Sequence, residues 1–228
     1  EDHPFNAESL HSFLWKLELA ERDQLWSIYL HNQYGYRGAV DRLIDWGLSN
    51  ADKSYISDKA IELTSIVFAW FLTSSNRYLR DKTTKALINI LTDRISIVTK
   101  LLNRFINVND PYVIERLFAV AYGCIMRSHD REDIKILSST VYELMFKDKE
   151  EVYPNILLRD YARGIIEFSL SLGYEDNFDI EKIKPPYKSQ LSFDIPSKEE
   201  LSKYADTDNY KSDKEWAMYR LYNSVMGY

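Results

Sequence analysis

Hydrophobic positions recur at helical spacing along most of the chain. Ile95, Val98, Leu101, Leu102, Phe105 and Ile106 fall at steps of three, three, one, three and one. Ile134, Leu137, Val141, Leu144 and Met145 do the same, as do Leu158, Ala162, Ile165, Ile166, Ser169 and Leu172. Such a stripe places apolar side chains on one face of an α-helix, and that face needs a neighbour to cover it. The segment Asp58–Leu72 is apolar almost all round, through Ile61, Leu63, Val67, Phe68, Trp70 and Phe71, and is expected to be a central helix. No stretch alternates with period two, so no sheet is expected.

The punctuation agrees with this reading. Asp110 precedes Pro111, an N-cap acceptor followed by a proline where a missing N–H costs nothing. Asp130 can cap a helix starting near Arg131, and Gly173 follows Leu172 where a left-handed C′ residue belongs. Further helices are predicted over Ser9–Leu17, Glu21–Gln33 and Ala39–Leu48, upstream of the more regular region.

That region contains a repeat. RYLRDKTTKALINIL, PYVIERLFAVAYG and NILLRDYARGIIEF each carry an arginine followed three residues later by a small residue: Arg80 and Thr83, Arg116 and Ala119, Arg159 and Ala162. Each follows another amphipathic helix: Asp58–Leu72, Ile95–Ile106 and Arg131–Phe146. Two helices per repeat at this period predict an all-α fold, a HEAT-like α-α superhelix, that is, a right-handed helical-repeat solenoid. The small residue lets helices approach, and the arginine comes within reach of an acidic group on the next repeat. Residues 1–55 then read as helices leading into the array and 56–173 as three helix pairs. Residues 174–228 read as a connector and a last helix, and the chain is expected to be cut from a longer one. Residues 174–197 hold three of the six prolines and little periodicity, so an extended surface segment is expected there. The last helix, about Asp213–Met226, spaces Trp216, Tyr219, Tyr222 and Val225 by three.

Composition narrows the chemistry. The 228 residues include 45% hydrophobic and 28% charged side chains, with only 7 glycines and 6 prolines, a globular and helical balance. The longest apolar run is too short to span a bilayer, and the acidic start EDHPFNAESL resembles no signal peptide. A soluble cytoplasmic protein is expected. Thirty-five acidic and 29 basic residues give a formal charge of −6, which offers no general reason to expect nucleic-acid binding.

The single cysteine, Cys124, excludes an intrachain disulfide and reads as a buried structural thiol. The four histidines are scattered, and phosphate-loop, dinucleotide and zincin motifs are absent, so neither metal nor cofactor is expected. What remains is a surface. Tyr78 and Tyr112, with Arg77, Arg80, Arg116, Arg159 and Arg163, are candidates for a concave binding face of local positive charge.

Several strings are familiar as a set. LAERDQLWSIYL (19–30), WFLTSSNRYLRDKTTKALINIL (70–91), DPYVIERLFAVAYG (110–123), LLRDYARGIIE (157–167), KPPYKSQ (184–190) and SVMGY (224–228) resemble segments of large bacterial STAND-type P-loop NTPases. These are the NACHT-like ATPases of anti-phage defence related to the AVAST systems, and the likeness lies in the helical region downstream of their ATPase. It implies a role and no reaction. In such proteins a C-terminal helical array recognises a phage component, and recognition drives ATP-dependent oligomerisation and activation of an N-terminal effector. Neither effector nor ATPase residues lie in this sequence, so the resemblance names no catalytic residue.

Three readings follow. The first is a non-catalytic HEAT-like interaction module that binds a protein, either a phage component or other domains of the parent. The second is an enzyme of the HEAT-like DNA glycosylase kind, with Asp81 or Asp160 beside Trp70 or Tyr161. The third is an internal scaffold that docks the parent's own domains.

Overall fold

The computed structural model describes residues 2–174, 178–188, 197–202, 216, 219, 220 and 222. The chain divides into two compact units, Glu1–Gln190 and Leu191–Tyr228. Every regular element among the described residues is helical. No helix among them is long and apolar enough to cross a membrane.

In the first unit the helices are α1 (Ala7–Trp15), α2 (Leu19–Arg22), α3 (Ile28–Gln33), α4 (Ala39–Leu48), α5 (Asp58–Phe71) and α6 (Arg77–Leu91). They continue as α7 (Ile95–Phe105), α8 (Pro111–Ile125), α9 (Arg131–Met145), α10 (Ile156–Ser171) and α11 (Ile180–Ile183). Side-chain caps set many starts, because the first N–H groups of a helix have no partner within it. Asn76 accepts from the amides of Tyr78 and Leu79, Asp110 from Tyr112, Asp130 from Asp133, and Asn155 from Leu158. Gly173 takes the left-handed conformation, φ +74°, just past α10.

The helices pack in an alternating order. α4, α6, α8 and α10 touch in succession, and α1, α5, α7 and α9 form the other succession. Each pair α5–α6, α7–α8 and α9–α10 joins the two. As its composition requires, α5 is buried nearly all round, with Ile61, Ile66, Phe68, Ala69 and Trp70 wholly enclosed. Glycines set the closest approaches in the α4–α10 succession. A methyl at Gly47 would lie 2.8 Å from the Ala86 Cβ, and one at Gly164 would lie 2.8 Å from the Tyr122 ring.

The segment expected as one helix over Glu21–Gln33 starts earlier and is not regular. A π-helical turn, Asp23–Ser27, joins α2 to α3. Such a turn adds a residue to one coil. Arg22, Trp26 and Leu30, each four residues apart, all face inward as a result. This rod is fastened at both ends of its inward face. The Trp26 indole N–H donates to the Trp70 carbonyl at 2.8 Å, and the Arg22 guanidinium donates to Asn109 Oδ1 at 2.6 Å. α1 is held against α5 and α7 by ion pairs, Glu8 with Arg104 and Lys59, while Glu62 takes Lys100 and Arg104.

Of the stretch after α10, expected to run extended across the surface, residues 178–188 are described and the parts 175–177 and 189–196 lie outside the described residues. The described part forms α11, capped by Asp179, and buries Ile183 completely. The Tyr187 hydroxyl donates to the Ile183 carbonyl at 2.6 Å, and the Val152 amide donates to the Lys188 carbonyl at 2.8 Å. Two isoleucines in a four-residue helix are too few to read as a period.

The second unit contains α12 (Lys198–Ser202), begun by a reciprocal cap between Ser197 and Glu200. Of the last predicted helix, Trp216, Tyr219, Arg220 and Tyr222 are helical, and the rings of Trp216 and Tyr219 stack at 5.5 Å. Its other positions, Val225 among them, lie outside the described residues.

Candidate functional site

The seven side chains expected on a binding face have different fates. Arg80 is almost fully buried. It donates to the Ser74 carbonyl at 2.6 Å and lies 4.3 Å from the centre of the Tyr112 ring. Arg159 donates to the Tyr153 carbonyl at 2.7 Å and to that of Val152, and covers the Tyr187 ring at 4.9 Å. Both arginines are the fourth residue of their helix, and each reaches a carbonyl six residues back.

Arg116 is out of this register. It is the sixth residue of α8 and pairs with Asp81 of α6 at 2.7 Å. The three Arg-x-x-small segments therefore reduce to two equivalent ones and a shifted third. Burial follows the same division: Thr83 and Ala162 are wholly enclosed, whereas Ala119 is half-buried.

Arg163 is occupied on its own helix by Asp160 at 2.9 Å and Glu167 at 3.4 Å. Arg77, exposed, pairs with Asp81 at 3.5 Å. Tyr78 stands in solvent and Tyr112 is half in it. The guanidinium groups of Arg80, Arg116 and Arg159 thus tie loops and neighbouring helices together, Arg163 is paired along its own helix, and Arg77 stays exposed.

The carboxylates considered for catalysis are similarly placed. Asp81 serves Arg77 and Arg116, and Asp160 serves Arg163. Trp70 has no exposed surface and is enclosed by His11, Phe105 and Arg22, while Tyr161 packs near Tyr122. Among the described residues no group of three His, Cys, Asp or Glu side chains could hold a metal ion. Burial pushes the Cys124 thiol up to about 12, which keeps it protonated.

A polar recess of about 730 Å³ lies beside the Ser49–Ser54 loop. Its cations are already engaged. Lys53 donates to the carbonyls of Ser49 and Ala51, and Arg94 to Asp58 and the Lys53 carbonyl.

An apolar groove on the N-terminal helices is different. It has a volume of about 440 Å³ and is walled by α1, the α2–α3 rod, α4 and α5. Val67 and Phe71 of α5 form part of its lining. Phe13, Leu25 and Tyr29 line it while remaining 54%, 55% and 44% exposed. Large side chains left this open on adjoining helices make a patch that water solvates poorly.

The groove is also rigidly built. Tyr29 stacks on Trp26 with ring centres 5.4 Å apart and planes 18° apart, and Trp26 is pinned through its indole N–H to α5. A second hollow, of about 440 Å³, flanks the same rod on the side of Leu19 and Ile28, both about half exposed. The inward stripe of the rod uses Arg22, Trp26 and Leu30. Leu25, Ile28 and Tyr29 are therefore apolar residues beyond what its packing needs. That excess in LWSIYL was the available sequence signal.

Comparison of the chain with protein-family models, with curated proteins and with solved structures finds no match.

Proposed function

We propose that the chain is a non-catalytic protein-binding module on a HEAT-like helical-repeat solenoid, and that the apolar groove beside Leu25 and Tyr29 is its partner surface. The observation that carries this is the groove itself. Three half-exposed large side chains converge on one hollow, braced from behind by the pinned Trp26. Anchors that are rigid before binding lose little entropy when a partner arrives. The repeat reading is supported by the equivalent placement of Arg80 and Arg159 and by the two successions of helices.

The resemblance to STAND-type NTPases supplies the setting. There the module would sit in the cytoplasm as part of a larger ATPase, contributing to recognition of a phage protein or to oligomer assembly. The groove moves the proposed contact away from the arginine face, where Arg80, Arg116 and Arg159 are engaged within the fold.

The test is site-specific photo-crosslinking in bacterial cells, with and without phage. The reactive residue replaces Tyr29 in one form of the chain and Arg159 in the other. Protein adducts from position 29 and none from position 159 are expected, and adducts confined to infected cells would name a phage trigger. Adducts from position 159 alone would return the contact to the arginine face and overturn the groove.

A further inference from the structure

We infer that the groove takes an amphipathic helix whose apolar stripe is bordered by lysine or arginine; this rests on the groove being the partner surface. The argument is one of charge. Between Glu18 and Gln33 the exposed ionised side chains are Glu18, Glu21 and Asp23, all acidic. The one arginine of that stretch, Arg22, has no exposed surface, and its charge is answered within the fold by Asp110. The ridge dividing the two hollows therefore presents leucine, isoleucine and tyrosine together with negative charge alone.

Glu21, exposed and four residues ahead of Leu25, accepts from the Glu18 amide at 3.1 Å, which leaves its charge in place. Asp23 lines the second hollow and accepts from the Ser27 hydroxyl at 2.8 Å, which leaves its charge in place. Bases stand elsewhere on the N-terminal helices: Lys16 after α1, and Arg42 on α4, which is drawn to the Arg37 carbonyl. The negative edge thus belongs to the rod.

A hollow lined by aliphatic and aromatic side chains from four helices suits a helix presenting residues at i, i+3, i+4 and i+7. Opposite charge along one edge selects which helix docks, and in which direction, more than it adds affinity.

The probe is an 18-residue peptide of leucine and lysine at amphipathic spacing, titrated into the intact chain by calorimetry at low salt. Its counterparts carry glutamate for lysine, or the same composition scrambled. The lysine peptide should bind, and the other two at least about tenfold more weakly. The pair Leu25→Ser and Tyr29→Ser, checked for fold by circular dichroism, should weaken binding about tenfold or more. Glu21→Gln with Asp23→Asn preserves shape and hydrogen bonding, and should weaken it about threefold to tenfold, an effect lost at high salt.

Groove-dependent binding that favours the glutamate peptide would overturn the basic partner and leave the groove standing as a binding surface. Binding indifferent to the groove pair, or matched by the scrambled peptide, would overturn the inference. So would a dimer in solution that the groove pair makes monomeric, since a second copy would then be the occupant. Absence of crosslinks from position 29 together with failure of every peptide would remove both readings.

Discussion

Arg22 and Asp110 stand 88 residues apart and meet at 3.5 Å, with 0% and 3% of their side chains exposed. The guanidinium also lies 5.3 Å from the centre of the Trp70 ring. Asp110 caps α8, so one contact joins that helix to the rod that precedes α4. Burial holds the Asp110 carboxyl above its ordinary 3.8, against the pull of Arg22 and the Tyr112 amide. This pair is structural, and its members are costly to separate. Arg22→Met should lower stability by about 3–5 kcal/mol, because the carboxylate is left buried without a counter-charge. Adding Asp110→Asn keeps a capping oxygen and removes that charge. The double variant should lose less than the sum of the singles in urea denaturation, and additivity would show that the pair is not coupled.

His11 gives the fold a dependence on pH. Burial, then the charge of Arg104, holds its pKa below the ordinary 6.5, with Glu8 pulling the other way. Its Nδ1 accepts from the Trp70 indole N–H at 3.2 Å, which requires that nitrogen to carry no proton. As pH falls below 6.5 the unfolded chain binds a proton that the folded chain resists, so stability falls. His11→Gln keeps an acceptor and should flatten the plot of urea midpoint against pH between about 5 and 7. An unchanged slope would assign the dependence to other groups.

Gly47 and Gly123 look alike in sequence and should respond differently to alanine. The methyl at Gly47 would meet the Ala86 Cβ, which cannot move without its helix. The methyl at Gly123 would meet the Cδ1 end of Ile88 at 2.5 Å, which can turn aside. Alanine gains about 1 kcal/mol over glycine within a helix, and overpacking costs about 1–3 kcal/mol. Gly47→Ala should therefore lower stability by about 1–2 kcal/mol, whereas Gly123→Ala should change it by less than about 1 kcal/mol. Equal effects in thermal melts would place the same rigidity at both contacts.

Cys124 should be silent toward thiol reagents while the chain is folded. It is fully enclosed, and a thiol held near 12 offers almost no thiolate at neutral pH. Its reaction with an aromatic disulfide should follow global unfolding, accelerating in urea in step with the loss of helix. Rapid labelling in buffer alone would mean that α8 opens locally.

The helices were legible from their apolar spacing, reinforced in several by a residue able to cap the start. Ala39–Leu48 is read to the residue, and Asp58–Leu72, Ile95–Ile106 and Arg131–Phe146 overrun the observed helices by one. The fates of the arginines were not legible. Arg80 and Arg159 satisfy loop carbonyls, a partner that carries no identity in a sequence. Arg116 matched them in its spacing to a small residue but not in its distance from the helix start, and the latter decides where a side chain points. The groove arises from Phe13 coming to lie beside Leu25 and Tyr29 across a turn, a proximity that no local pattern encodes.

The reach of Arg22 has a consequence in time. Its sockets, Asn109 and Asp110, are 87 and 88 residues further along the chain, and Glu8 waits for Arg104 across 96. A ribosome adding about 5–20 residues per second leaves α1 and the rod without these anchors for about 4 to 19 s. During the first half of that interval Phe13, Leu25 and Tyr29 are accompanied by Trp26 and Leu30 while Trp70 of α5, 44 residues past Trp26, is still to be made. The stretch from α1 through the rod is therefore made well before it is secured, and that is when a holding chaperone would be of most use to it.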